Sequence, residues 1–180
     1  AGRAGAFGTQ ALVNILWAAA TVRLGKASRE GPLGEVLLAA AERGERLRPQ
    51  GISNLVWAMG AMRWRAEPAL RALLPHVAHR SRDLAPQGVA NCLVGLASLQ
   101  PPGGQVGWLE DDAVLRLATQ AMRRVERFST HELAQLARAA AVYAAAGSRG
   151  GRFEPFWETV CGEARRRMRD FGPGDLAGLG

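Results

Sequence analysis

The side chains best suited to specific chemistry in this sequence are carboxamides, and they recur at fixed spacing. Gln10 is followed four residues later by Asn14, Gln50 by Asn54 and Gln87 by Asn91, while His131 and Gln135 hold the same two places further on. Three residues beyond each Asn or its substitute stand Trp17, Trp57, Val94 and Arg138. An amide offers donor and acceptor together, and an indole offers a stacking face. A ladder of this kind suits the edges and faces of unpaired bases. It supplies no nucleophile or proton relay. His76 and His79 lack a carboxylate or cysteine at metal-ligand spacing and read as surface or inter-repeat residues. Gly103 and Gly104 are not followed by the Gly-Lys-Ser/Thr of a phosphate loop. Cys92 and Cys161 form no CxxC pair, which argues against a zinc site and a disulfide framework. Cys92 is expected on a core face and Cys161 buried in its helix. The expectation is no enzyme, no metal and no cofactor.

The amides belong to a longer repeat. Segments that open at Phe7, Leu47, Leu84 and Phe128 align without gaps, and a fifth begins at Phe171, so the starts lie 40, 37, 44 and 43 residues apart. The third position of each is Thr9, Pro49, Pro86, Thr130 or Pro173. Pro is favoured in a first helical turn and Thr can cap one, so each motif opens a helix, A. The leading Phe or Leu is expected to pack back as a staple. A second helix, B, follows in each repeat with apolar residues at i, i+3, i+4 spacing, roughly over Leu33 to Gly44, Pro68 to Arg82, Asp111 to Arg127 and Glu154 to Asp170. Pro75 should kink or split the second of these near Leu74.

No useful length alternates with period two, so no sheet is expected. The predicted fold is all-α: an α-solenoid of about four helix-turn-helix repeats (about 7–46, 47–83, 84–127 and 128–170) plus the start of a fifth over 171–180. One helix pair cannot bury its own apolar surface and must stack on neighbours. The whole of 1–180 reads as one solenoid segment of a longer chain. Stretches from Gln100 to Gly107 and from Gly147 to Gly151 read as exposed, mobile insertions. No apolar run is long enough to cross a membrane.

Helical steps of 100° sort helix A into two faces. Leu12, Ile15, Leu16, Ala19 and Val22 form a core stripe in the first repeat, as do Ile52, Leu55, Val56, Met59 and Met62 in the second and Val89, Cys92, Leu93, Leu96 and Leu99 in the third. The opposite face carries the amides and indoles, which a solenoid would line up along one wall. Two readings of that wall stand side by side. It is a base-reading surface, or it is framework, with the Trp rings packed on neighbouring helices and the Asn amides bonded to inter-repeat backbone. Residues that vary at equivalent heights are the better readout candidates: Ser53, Ala90 and Ala134 against Val13, and Arg138 against Trp17.

The net charge is +7, and of the 23 basic residues only Lys26 is lysine, so arginine carries the charge. Arginines cluster where each B helix ends: Arg43, Arg46 and Arg48, then Arg80 and Arg82, then Arg123, Arg124 and Arg127, then Arg165, Arg166, Arg167 and Arg169. Stacked repeats would bring these to one edge beside the A-helix N-termini, where a line of phosphates could run. Arginine near a helix C-terminus is also ordinary, and a biased genome would raise its frequency. The residues assigned to RNA are Asn14, Asn54, Asn91, Gln135 and Arg138 on the wall, and Arg46, Arg48, Arg80, Arg82, Arg123, Arg124, Arg127, Arg165 and Arg166 on the edge.

The runs from Gln10 to Ala18 and from Gln50 to Met59, with their shared Leu/Val-Trp-Ala, resemble the octotricopeptide repeats of algal organelle proteins and the related helical repeats that precede RAP domains. The fourth repeat departs from the pattern at Gln135 and Arg138, and no RAP domain is visible. The resemblance implies helix pairs that bind single-stranded or ribosomal RNA in a mitochondrion or chloroplast. The roles implied are transcript maturation, stability or translation, or a place among ribosomal or other ribonucleoprotein subunits. The contrasting expectation is a protein-interaction scaffold that makes no RNA contact.

Overall fold

The computed structural model describes residues 6–25, 31–100, 112–146 and 151–177. Among them nine α-helices and no strand are found: α1 (Thr9–Thr21), α2 (Pro32–Glu42), α3 (Pro49–Ala61), α4 (Glu67–Arg80), α5 (Pro86–Ser98), α6 (Asp112–Arg123), α7 (Thr130–Ala146), α8 (Glu154–Arg166) and α9 (Pro173–Ala177). Odd-numbered helices are the A helices and even-numbered ones the B helices. Each of the first four A helices packs on its own B helix. The A helices also pack on one another in chain order, as do the B helices. The register is parallel: Gly51 near the start of α3 faces Val13 near the start of α1, and Gly88 near the start of α5 faces Ser53 near the start of α3. This is the α-solenoid that the repeat implied.

The apolar stripes fill the space between the two files. Every core residue expected in the second and third repeats is buried, Cys92 included. A fully buried Leu, Ile or Met contributes roughly 1.5–3 kcal/mol over an exposed one, so stacking supplies what a single pair lacks. The first repeat differs. Val22 is 68% exposed, where Met62, Leu99 and Tyr143 at the same position are 4%, 1% and 0% exposed. Phe7 is 45% exposed, where Leu47, Leu84 and Phe128 are 3%, 2% and 1% exposed. Later repeats bury these places, whereas in the first repeat no described helix covers them. The leading residue therefore acts as a staple in later repeats, and Leu47 and Leu84 close over Gly51 and Gly88.

Helix ends depart from expectation in instructive ways. Thr9 and Thr130 sit inside the first turn and do not cap. In α7 the cap is Ser129, whose N–H donates to the Glu132 carboxylate at 2.7 Å while the Glu132 N–H donates to Ser129 Oγ at 3.2 Å, a capping box. The B helices stop earlier than their periodicity suggested. Beyond the last turns of α2, α6 and α8 the chain tightens into single 3₁₀ turns at Gly44–Arg46, Val125–Arg127 and Met168–Asp170. Helix α4 runs unbroken through Pro75. Proline removes one backbone bond, and here it does so on the exposed face while Leu73, Leu74 and Val77 hold the other side in the core. Cys161 is half-buried rather than buried. The insertions expected at 100–107 and 147–151 lie outside the described residues, apart from Gln100 and Gly151.

α1 and α3 end alike. Arg23 (φ 52°) and Arg63 (φ 48°) turn left-handed, and the next N–H donates back into the helix, Leu24 to Ala19 O at 3.1 Å and Trp64 to Met59 O at 2.8 Å. A side chain there costs about 1 kcal/mol that glycine avoids. Arg63→Gly is expected to stabilise the fold by about 0.5–1 kcal/mol, read as a higher midpoint in urea. An unchanged or lower midpoint would contradict this.

Candidate nucleic-acid interface

Placing α1, α3 and α5 side by side opens a cleft of about 980 Å³ on the A-helix wall. α1 contributes Asn14, Trp17 and Thr21. α3 and its lead-in contribute Arg48, Pro49, Gln50, Ser53, Asn54 and Trp57, and α5 and its lead-in contribute Asp83 to Ala85, Gln87, Gly88 and Asn91. The three predicted asparagines therefore share one site with both indoles. Asn14 is exposed and accepts a hydrogen bond from Gln10 at 2.9 Å. Asn54 and Asn91 are half-buried, and among the described residues neither amide is bonded to backbone or side chain. Framework bonding of these amides is thus not what the described residues contain.

The indoles divide. Trp17 is 47% exposed. Trp57 is half-buried and rests partly on a small cluster of Ala19, Ala20, Ala58 and Met62 while still lining the cleft. It serves framework and cleft together. The fourth repeat stands outside the cleft. Gln135 is half-buried with Nε2 2.9 Å from His131 Nε2, and Arg138 is exposed on α7. Val13, Ser53, Ala90 and Ala134, taken as readout candidates, are all buried between A helices. Their variation is a matter of packing, because the third residue after the Gln faces the next A helix rather than solvent.

The arginine edge splits into two classes. Arg43 donates to Phe7 O at 2.7 Å, Arg124 to Leu84 O at 2.8 Å and Arg167 to Phe128 O at 2.6 Å. Each carbonyl belongs to the leading residue of the same repeat, just ahead of helix A, where no helical N–H reaches it. Arg80 occupies the equivalent place in the second repeat and donates to Glu45 O at 3.2 Å. These guanidinium groups close the repeats. Burial lowers the Arg124 pKa, aided by the like charge of Arg127. Arg80 and Arg124, expected on the RNA edge, are half-buried and donate to backbone carbonyls. The sequence held the signal, since an arginine stands four residues ahead of every motif start, at Arg3, Arg43, Arg80, Arg124 and Arg167.

Arg46, Arg48, Arg82, Arg123, Arg127 and Arg165 are exposed. Arg166 is exposed too but makes two hydrogen bonds to the Glu163 carboxylate, at 2.8 and 2.6 Å, and these hold that carboxyl below its ordinary range. Of the expected edge only Arg48 borders the cleft. Asp83, at the lead-in to α5, also borders the cleft and was not foreseen, because it stands in a turn among basic residues. Among the described residues no group of three or more His, Cys, Asp or Glu side chains is placed to hold a metal, and no helix is long and apolar enough to cross a membrane.

Compared with models of protein families, with curated proteins and with solved structures, the chain matches none.

Proposed function

We propose that this chain is a non-catalytic RNA-binding helical repeat, with bases in the α1–α3–α5 cleft and phosphates along the exposed arginines. One observation carries the reading. Asn54 and Asn91, half-buried and without a protein partner among the described residues, share a cleft with Trp17 and Trp57. Half-buried polar groups gain from a partner, and unpaired bases supply both hydrogen-bonding edges and stacking faces. The net charge of +7 adds a general attraction to polyanions. The resemblance to octotricopeptide repeats points to an organellar transcript or ribosomal RNA as the class of target.

The test is binding of labelled single-stranded RNA, followed by anisotropy across a salt series and set against a duplex of equal length. The single strand is expected to bind better. Changing Arg48, Arg123 and Arg127 to Glu should lower the salt slope by roughly 0.7 per lost phosphate contact. Tight binding to a protein partner, unaffected by those substitutions and with no RNA bound, would replace this reading with a scaffold.

A further inference from the structure

The cleft does not run level across the helices. On α1 it takes residues from the middle to the C-terminal end, Asn14 to Thr21. On α5 it takes only the lead-in and first half, Asp83 to Asn91. Gln10 at the start of α1 and Ser98 at the end of α5 share the solvent face, yet neither lines it. Its chemistry is polarised along the same diagonal. The two indoles stand on α1 and α3, the free amide of Asn91 on α5, and the charges of Arg48 and Asp83 at the lead-ins. Among the described residues Asp83 forms no ion pair. Its carboxylate repels phosphate, whereas Arg48 attracts it.

Resting on the RNA reading above, we infer that the cleft takes one short single-stranded segment, which crosses α1, α3 and α5 obliquely. Bases stack at the Trp17–Trp57 end. Base edges meet Asn54 and Asn91 further along, and the sugar-phosphate backbone keeps to the Arg48 side, away from Asp83. The path then meets α1 nearer its C-terminal end, at Trp17, and leaves over the first half of α5, at Asn91.

Labelled single-stranded RNA of about six nucleotides is the probe, titrated into the chain and four variants whose helicity is checked by circular dichroism. Trp17→Ala and Asn91→Ala, at opposite ends of the diagonal, are each expected to weaken binding about tenfold, the size of one lost stacking or bidentate contact. Gln10→Ala and Ser98→Ala, on the same face but off the diagonal, are expected to change it less than about twofold. A fifth variant, Asn14→Ala, stands level with Asn91 in the cleft, and equal losses at these two with Trp17→Ala silent would mean a level path and overturn the inference while leaving RNA binding intact. Failure of the unaltered chain to bind any single strand would sink both, and the two failures are told apart by that first titration.

Discussion

Gly95→Ala is expected to destabilise the protein by about 2 kcal/mol, a fall in melting temperature of roughly 4–8 °C for a chain of this length. A Cβ at Gly95 would lie 2.6 Å from the Val56 carbonyl oxygen and 2.9 Å from its carbon. One at Gly60 would lie 2.5 Å from Gly95 Cα. The obstacles are backbone atoms, so no side chain can swing aside and α3 and α5 must separate. Alanine's better helix propensity returns at most about 1 kcal/mol and does not offset this. Gly60→Ala should cost a similar amount. The double variant should cost less than the two together, because one separation of the helices relieves both clashes. Gly162→Ala is the control: nothing lies within 4 Å of its new Cβ on α8, so stability should rise by about 0.5–1 kcal/mol. Thermal melts of the four variants decide the matter, and a stable Gly95→Ala would show that the two helices do not touch as described.

Arg124→Ala should cost about 2 kcal/mol, whereas Arg123→Ala, one residue away, should fall within about 0.5 kcal/mol of neutral. Arg124 donates from Nη1 to Leu84 O and from Nε to Gln120 O at 3.2 Å, tying the end of α6 to the entry of α5. Its loss strands the Leu84 carbonyl in partly buried surroundings. Arg123 is exposed at the last turn of α6. RNA affinity should divide the other way at moderate salt: Arg123→Ala weakens it slightly, and Arg124→Ala leaves it unchanged wherever the fold persists. Urea titrations paired with binding curves separate the two residues. Equal stability losses would mean that the edge is not divided between closure and ligand.

Much of this architecture was legible in the residues. A period near forty, Pro or Thr at the third motif position and apolar stripes at 100° steps placed the A helices, their core faces and the amide wall, because each is a local consequence of helical geometry repeated several times. What escaped has physical causes. Gly60 and Gly95 hold different places in their motifs, so no self-comparison pairs them. Their meeting follows from how two helices cross. Arg80 and Arg124 look like solvated charge in a run of charge; their regular place four residues ahead of a motif start marks them, but only the fold shows which carbonyl each one meets. Val22 has the same pattern as Met62 and Leu99 but lacks the neighbour that covers them. Asp83 is an acid in a turn of basic residues, and only the packing of α5 beside α3 brings it to the same cleft as Arg48.

The bare side of the first helix pair has a consequence of its own. Phe7, Ala18 and Val22 hold the places that every later pair fills against its forerunner, and here they face water. Apolar side chains at these places are what one helix pair offers the next throughout the stack. How many units a stack of this kind carries is therefore decided at its rim, by whichever module first turns a polar flank outward.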